Sequence, residues 1–118
     1  MGFEGVDYFD LDSLLDKDEL AVRDMVRDWV ESEVIPIIND CYISRKFPRT
    51  LIPKMGELGF FGANLPEEYG CAGLENVSYG LIMQELERGD SGVRSFVSVQ
   101  SALVMYPIFT FGSEDQKR

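Results

Sequence analysis

One arginine stands alone in the stretch DSGVRSFVSVQSALVM, Asp90 to Met105. From Ser91 to Ser113, Arg94 is the only charged residue, and it lies among serines, Phe, Val, Leu and Met. On a helix turning about 100° per residue, Ser91, Arg94, Ser95, Ser98 and Ser101 share one face. Val93, Phe96, Val99 and Leu103 take the other, which reads as core. Serine is a poor helix-interior residue because its hydroxyl competes for backbone hydrogen bonds. Four on one face have a use where small hydroxyls line a cleft. A guanidinium beside them is a planar, permanently charged fork that takes a carboxylate through two parallel bonds.

A cation in so apolar a stretch needs a counter-charge, since an unpaired buried ion costs on the order of several kcal/mol. Glu87, just before the GDSG connection, is the nearest candidate, and Glu85 and Asp90 are also available. Spacing admits two roles. In one, Arg94 ties two helices together through Glu87 or Asp90, the serine face is a packing groove, and Ser98 bonds the Arg94 carbonyl. In the other, Arg94 captures an acidic group of a ligand while Glu87 holds it in orientation. Spacing alone does not separate them.

Other chemistry is restricted by what the chain lacks. It has no histidine, and neither Cys41 nor Cys71 has a Cys or His neighbour. A Cys/His zinc site and a histidine-activated Ser or Cys nucleophile are therefore excluded within it, and no metal is expected. Reduced thiols are the default for so few cysteines. The 118 residues carry 21 acids against 11 bases, a net charge of −10, which disfavours nucleic acid as a partner. No apolar run is long enough to span a bilayer. The acidic start MGFEGVDYFDLD resembles no export signal, and Val6 spoils a myristoylation motif. A bacterial cytoplasm is the expected location.

The elements that must position Arg94 read as helices. Residues 1–15 predict an extended arm with Phe3, Tyr8 and Phe9. In DKDEL, Asp16 caps and Glu19 reaches back. Val22, Met25, Val26, Trp29 and Val30 follow at helical spacing, and Glu19–Arg23 and Asp24–Arg27 are acid-before-base pairs. Pro36 is expected to kink or end this helix near Ile35, with room for a second turn or two to resume through Ile37 and Ile38. RKFPRTLIPKMGELGFFG gives a shorter helix, opened by Pro48 or by a Thr50 cap with Pro53 in the first turn, and ended by Gly59 or Gly62. Residues 63–76 form a Gly/Pro-rich loop. A third helix covers Glu75 to Arg88 with Tyr79, Ile82, Met83 and Leu86 inward. The fourth starts at Ser91 and runs past Ala102 until Pro107 bends or ends it. The class is all-α. Ser113 and Gln116 form a capping box that opens another helix as the chain stops, so a piece of a longer protein is expected.

The passage GELGFFGANLPEEYGCAGLENVSYGLIMQELERGDSGVRSFVSVQSALVMYPIFTFGSEDQKR resembles the amino-terminal helical domain of the acyl-CoA dehydrogenases. The P-E-E-Y-G-x-x-G loop and the G-S-E-x-Q-K ending are general to that superfamily. The version SYGL…ELER-x-DSG-x-RS-x-x-SVQS-x-LVM is narrower and looks like glutaryl-CoA dehydrogenase. The likeness spans residues 16–118, with 1–15 a less distinctive arm. Val93 stands where relatives often carry an aromatic, and YGCAG where a double glycine is common.

The resemblance implies a helical bundle-like domain cut off before a middle β-domain. It implies an enzyme that removes two hydrogens from the Cα–Cβ bond of a glutaryl thioester, with FAD as hydride acceptor. Many members then decarboxylate to crotonyl-CoA, a reaction of amino-acid catabolism, and pass electrons to an electron-transferring flavoprotein. It implies a homotetramer. Carried over residue by residue, Arg94, Ser95 and Ser98 would contact the distal carboxylate, and Glu87 would join the network around the arginine. The catalytic base and most of the FAD site would lie in the missing carboxy-terminal and middle domains. No glutamate here is nominated as base, and the fragment alone is expected to be inactive and to hold FAD weakly. Two alternatives remain: an acyl-CoA dehydrogenase of other chain specificity, and a non-catalytic helical interaction module.

Overall fold

Asp16 and Glu19 open the first long helix reciprocally. The Glu19 N–H donates to Asp16 Oδ1 at 2.8 Å, and the Asp16 N–H donates to Glu19 Oε2 at 2.9 Å. This computed structural model describes residues 5–118; the first four, including Phe3 of the arm, lie outside the described residues. Every regular element among the described residues is helical. The principal helices are α1 (Lys17–Trp29), α2 (Ile35–Ser44), α3 (Ile52–Glu57), α4 (Asn76–Gly89), α5 (Ser91–Ser98), α6 (Tyr106–Phe111) and the short α7 (Glu114–Lys117). The described part of the arm is bent rather than extended: the Asp7 carboxylate accepts from the Phe9 and Leu11 N–H groups, the Asp10 backbone is left-handed, and a 3-10 turn follows at Leu11–Leu14, with Tyr8 and Phe9 exposed.

Neither Pro36 nor Pro107 ends its helix. A π-wound stretch, Val30–Val34, joins α1 to α2, and another, Val99–Met105, joins α5 to α6. Each finishes two residues before the proline. In both, the residue preceding proline donates five residues back: Ile35 N–H to the Val30 carbonyl, Tyr106 N–H to the Ser101 carbonyl. A proline inside an α-helix fails because it lacks a donor and its ring strikes the carbonyl four residues back. Wider winding shifts the carbonyls from that position, so the chain continues.

The same widening explains the core. Val26, Val30 and Val34 are fully buried, flanked by partly buried Val22 and Ile38. These positions recur every four residues. On an α-helix that spacing drifts about 40° per step, and a π-wound turn takes up the drift. Val30 and Val34 pack against α4 where Gly89 has no side chain; a Cβ there would lie 2.6 Å from Val30 Cγ1. Trp29 meets Phe60 edge-on at 5.3 Å between ring centres. Leu51, Met55, Ala63, Ile82, Leu86, Val93 and Val97 complete the core. The α1 helix lies along α4, and α4 folds back on α5.

The shorter elements resolve the remaining expectations. Pro48 precedes a 3-10 turn, Arg49–Leu51, and Pro53 sits in the first turn of α3; Thr50 supplies no cap. Gly59, with φ +75°, follows the end of α3, so it rather than Gly62 ends this helix. The third predicted helix is α4, displaced by one residue, with Glu75 as its N-cap. Ile82 and Leu86 are buried as expected, and Tyr79 and Met83 are partly buried. Ser113 and Gln116 form the capping box of α7. Two surface pairs differ. Arg23 pairs with Asp12 of the arm and with Asp24, and Arg27 reaches across to Glu85.

Candidate functional site

Asp90 separates α4 from α5. Its extended backbone breaks the helix, and its carboxylate accepts the Val93 N–H at 2.8 Å to cap α5. Glu87 in the last turn of α4 and Arg94 in α5 therefore face each other across the break. The Arg94 Nε donates to Glu87 Oε2 at 2.5 Å, and its Nη1 to Ser98 Oγ at 3.3 Å. Ser98 in turn donates to the Ser95 carbonyl at 3.1 Å, rather than to that of Arg94. Glu87, Arg94, Ser95 and Ser98 are thus brought together. Ser91 joins them by donating its hydroxyl to Glu87 Oε1. Its position four residues after Glu87 was the sequence signal for that contact.

This cluster is only half covered: the Arg94 side chain is 35% exposed and that of Glu87 46%. The Ser91 hydroxyl and then the Arg94 guanidinium hold the Glu87 carboxyl below its ordinary range. Arg94 makes two hydrogen bonds among the described residues, leaving its Nη2 amino group outside the internal network.

Arg88 is a useful contrast. Its Nε donates to Glu85 at 2.8 Å, its Nη1 to Glu31, and its Nη2 to the Arg27 carbonyl. Glu85 also takes Arg27 at 2.8 and 3.1 Å, and its side chain is 1% exposed. Burial pushes the Glu85 carboxyl up, but the hydrogen bonds and charges of Arg27 and Arg88 together hold it below the usual range. Arg88 is consumed by the fold on all three nitrogens. Arg94 is not.

The helical-wheel reading of α5 needs correction. Ser101 is not on the open serine face: it is 4% exposed, in line with buried Val93 and Val97. Phe96, Val99 and Leu103, assigned to the core, are exposed. The core stripe 93–97–101 has the period of four that leads into the π-wound stretch. A wheel at ordinary α pitch rotates these later residues to the wrong side.

No group of His, Cys, Asp or Glu among the described residues could hold a metal ion. Burial raises the Cys71 thiol above its ordinary value, which suppresses thiolate chemistry. Neither of two recesses fits a flavin by itself. The recess under the arm has Arg23, Arg27 and Arg88 on its wall, yet each is bound to carboxylates, and Asp7, Asp12, Asp28 and Glu31 would oppose a diphosphate. The recess between Tyr69 and Phe109, about 140 Å³, is too small for a dinucleotide. No helix of the described chain is long and apolar enough to cross a membrane.

A helical domain presenting a half-covered arginine among serines, with PEEYG and GSEDQK at its loop and end, has counterparts among known proteins. Residues 16–118 match the model of the acyl-CoA dehydrogenase N-terminal domain, and the chain belongs to that family. A solved glutaryl-CoA dehydrogenase from Mycobacterium smegmatis, in complex with FADH2, superposes with a TM-score of 0.89 at 48% identity, covering 92% of this chain and 28% of that one. Butyryl-CoA dehydrogenase from Megasphaera elsdenii superposes with a TM-score of 0.80 at 29% identity, covering 87% of this chain and 28% of that one. The short-chain specific acyl-CoA dehydrogenase of Bos taurus is 37% identical over 97 residues, which is 82% of this chain and 24% of that protein. The chain spans about a quarter of the length of these relatives.

Proposed function

We propose that this chain is the substrate-binding N-terminal domain of a flavin-dependent acyl-CoA dehydrogenase acting on glutaryl-CoA. The observation that carries the reading is the state of Arg94: held from one side by Glu87 and Ser98, with an amino group outside that network. A guanidinium so fixed rewards a substrate ending in a carboxylate and gives nothing to a fatty acyl chain of similar length. The 48% identity to a glutaryl-CoA dehydrogenase supports this choice.

In this reading Arg94 binds the distal carboxylate, the Ser95 and Ser98 hydroxyls flank it, and Glu87 with Ser91 sets the orientation of the guanidinium. FAD, when bound in the whole enzyme, supplies the hydride acceptor. This chain's part is to anchor the far end of the acyl chain and so fix its Cα–Cβ bond in place. Decarboxylation to crotonyl-CoA, transfer of electrons to an electron-transferring flavoprotein, and a homotetramer belong to the same proposal. So does a flavin site and catalytic base contributed by chain beyond these residues, following an arm at 1–15.

The test is Arg94→Met in the full-length flavoenzyme carrying this domain. Losing a charge-assisted pair should raise KM for glutaryl-CoA by about tenfold or more, with KM for butyryl-CoA within about twofold. Equal losses on both substrates would make the arginine structural and defeat the proposal.

A further inference from the structure

Ser101 is the only polar side chain in the buried stripe Val93–Val97–Ser101, and its hydroxyl both accepts and donates. It accepts the Gly62 N–H at 2.9 Å and donates to the Phe60 carbonyl at 3.4 Å. Gly62 is itself constrained. Its φ is +62°, and a Cβ there would stand 2.6 Å from Met105 Cε. The backbone of the loop after α3 is thus fastened to the π-wound stretch at Ser101, with the Met105 side chain close against Gly62.

That stretch begins at Val99, immediately after Ser98, the residue that holds Nη1 of Arg94. A wide turn stores rotational freedom. If it rewound to α pitch, the segments on its two sides would turn against one another by about 100°, one residue's worth. The side chains of Val93 and Val97 hold the near segment by packing. Ser101 carries the only side-chain hydrogen bonds from the stripe to the loop after α3, and it lies three residues beyond Ser98.

We propose that Ser101 is a positioning residue for the Arg94 site. It fixes the wide turn against the Phe60–Gly62 backbone, and with it the rotation at which Ser98 meets the Arg94 guanidinium. The proposal rests on the reading of Arg94 as receptor of the substrate's distal carboxylate. It adds that the selectivity of this receptor is set partly by a buried hydroxyl that touches neither substrate nor arginine.

The test uses the full-length flavoenzyme carrying this domain, with Ser101→Ala, Ser101→Cys, Ser98→Ala, the Ser98→Ala/Ser101→Ala pair and Arg94→Met. KM is measured for glutaryl-CoA and butyryl-CoA. Ser101→Ala is expected to raise KM for glutaryl-CoA about fivefold while KM and kcat for butyryl-CoA change less than about twofold. Acting through Ser98, it should add little to Ser98→Ala in the double variant. Ser101→Cys is slightly larger and keeps a weaker hydrogen-bonding group, so it should fall between wild type and Ala, and it carries the test if Ala does not fold. A folded Ala or Cys variant with an unchanged substrate ratio overturns the proposal, as does full additivity with Ser98→Ala. If Arg94→Met collapses the ratio while the Ser101 variants keep it, only the role of Ser101 falls. If Arg94→Met leaves the ratio intact, the underlying reading falls and takes this one with it.

Discussion

Glu85 and Glu87 stand two residues apart on α4 and serve opposite sides of it. About 200° separates them around the helix. Glu85 is sealed inside with Arg27 and Arg88, while Glu87 is half exposed against Arg94 and Ser91. One carboxylate locks α4 to α1, and the other orients a cation at the surface. Their substitutions should therefore differ in kind.

Glu85→Gln should cost about 3 kcal/mol of folding stability, because two arginines would then face a neutral amide across a buried contact. The effect depends on pH with a definite sign. The folded Glu85 carboxyl titrates below its ordinary value of 4.5, so the unfolded chain takes up the proton first. The stability supplied by this group is complete above about pH 4.5 and is lost as pH falls through the lower folded value. Denaturant unfolding of both proteins between about pH 7 and pH 3 should show the gap closing on the acid side. A gap that stays constant over that range would refute the assignment.

Arg94→Met should leave the fold nearly untouched. Its ion pair with Glu87 is open to solvent, where such pairs contribute little. Thermal unfolding is expected to shift by less than about 3 °C. A large drop would mean that the arginine pins the two helices together.

Gly89→Ala tests packing against propensity. In an exposed helix this change stabilises by about 1 kcal/mol. Here the added methyl meets Val30 Cγ1 at 2.6 Å and Val34 Cγ1 at 3.4 Å. Both valines are fully buried and stiff at χ1. Overpacking should reverse the sign, giving a loss of about 1–3 kcal/mol in equilibrium unfolding. A stabilised variant would show that the helices separate easily.

Asp90→Ala removes the cap of α5 and should cost about 1 kcal/mol, whereas Asp90→Asn, which keeps an acceptor for the Val93 N–H, should cost a few tenths at most. Chemical denaturation of the two variants side by side checks this. Equal losses would show that the charge, not the cap, matters there.

The all-helical class, the caps at Asp16 and Ser113, and the meeting of Glu87, Arg94, Ser95 and Ser98 were all legible in the residues. These features are local, or lie within two turns of each other. The pairs Arg27–Glu85 and Arg88–Glu31 were not legible, because their members lie far apart in sequence and nothing in the neighbours of Glu85 marks it as buried. The fate of Ser101 was missed for a different reason. Its burial follows from winding, and the signal was present as a run of valines every fourth residue, from Val22 to Val34, and again at Val93 and Val97. A regular α wheel treats that spacing as drift, although a proline just beyond each wide stretch points the same way.

Those two wide stretches also say where the chain tolerates a change of length. Each behaves like an ordinary helix holding one surplus residue. Shortening the segment between Ser98 and Tyr106 by one, with Pro107 replaced as well because ordinary α pitch would not accommodate it, would convert the spacing of four into the three-and-four alternation that common helices prefer, with both flanks still presenting their present faces. A one-residue deletion elsewhere in α5 or α6 would instead swing everything beyond it by a third of a turn. Among relatives, indels in this helix should therefore collect at that one place.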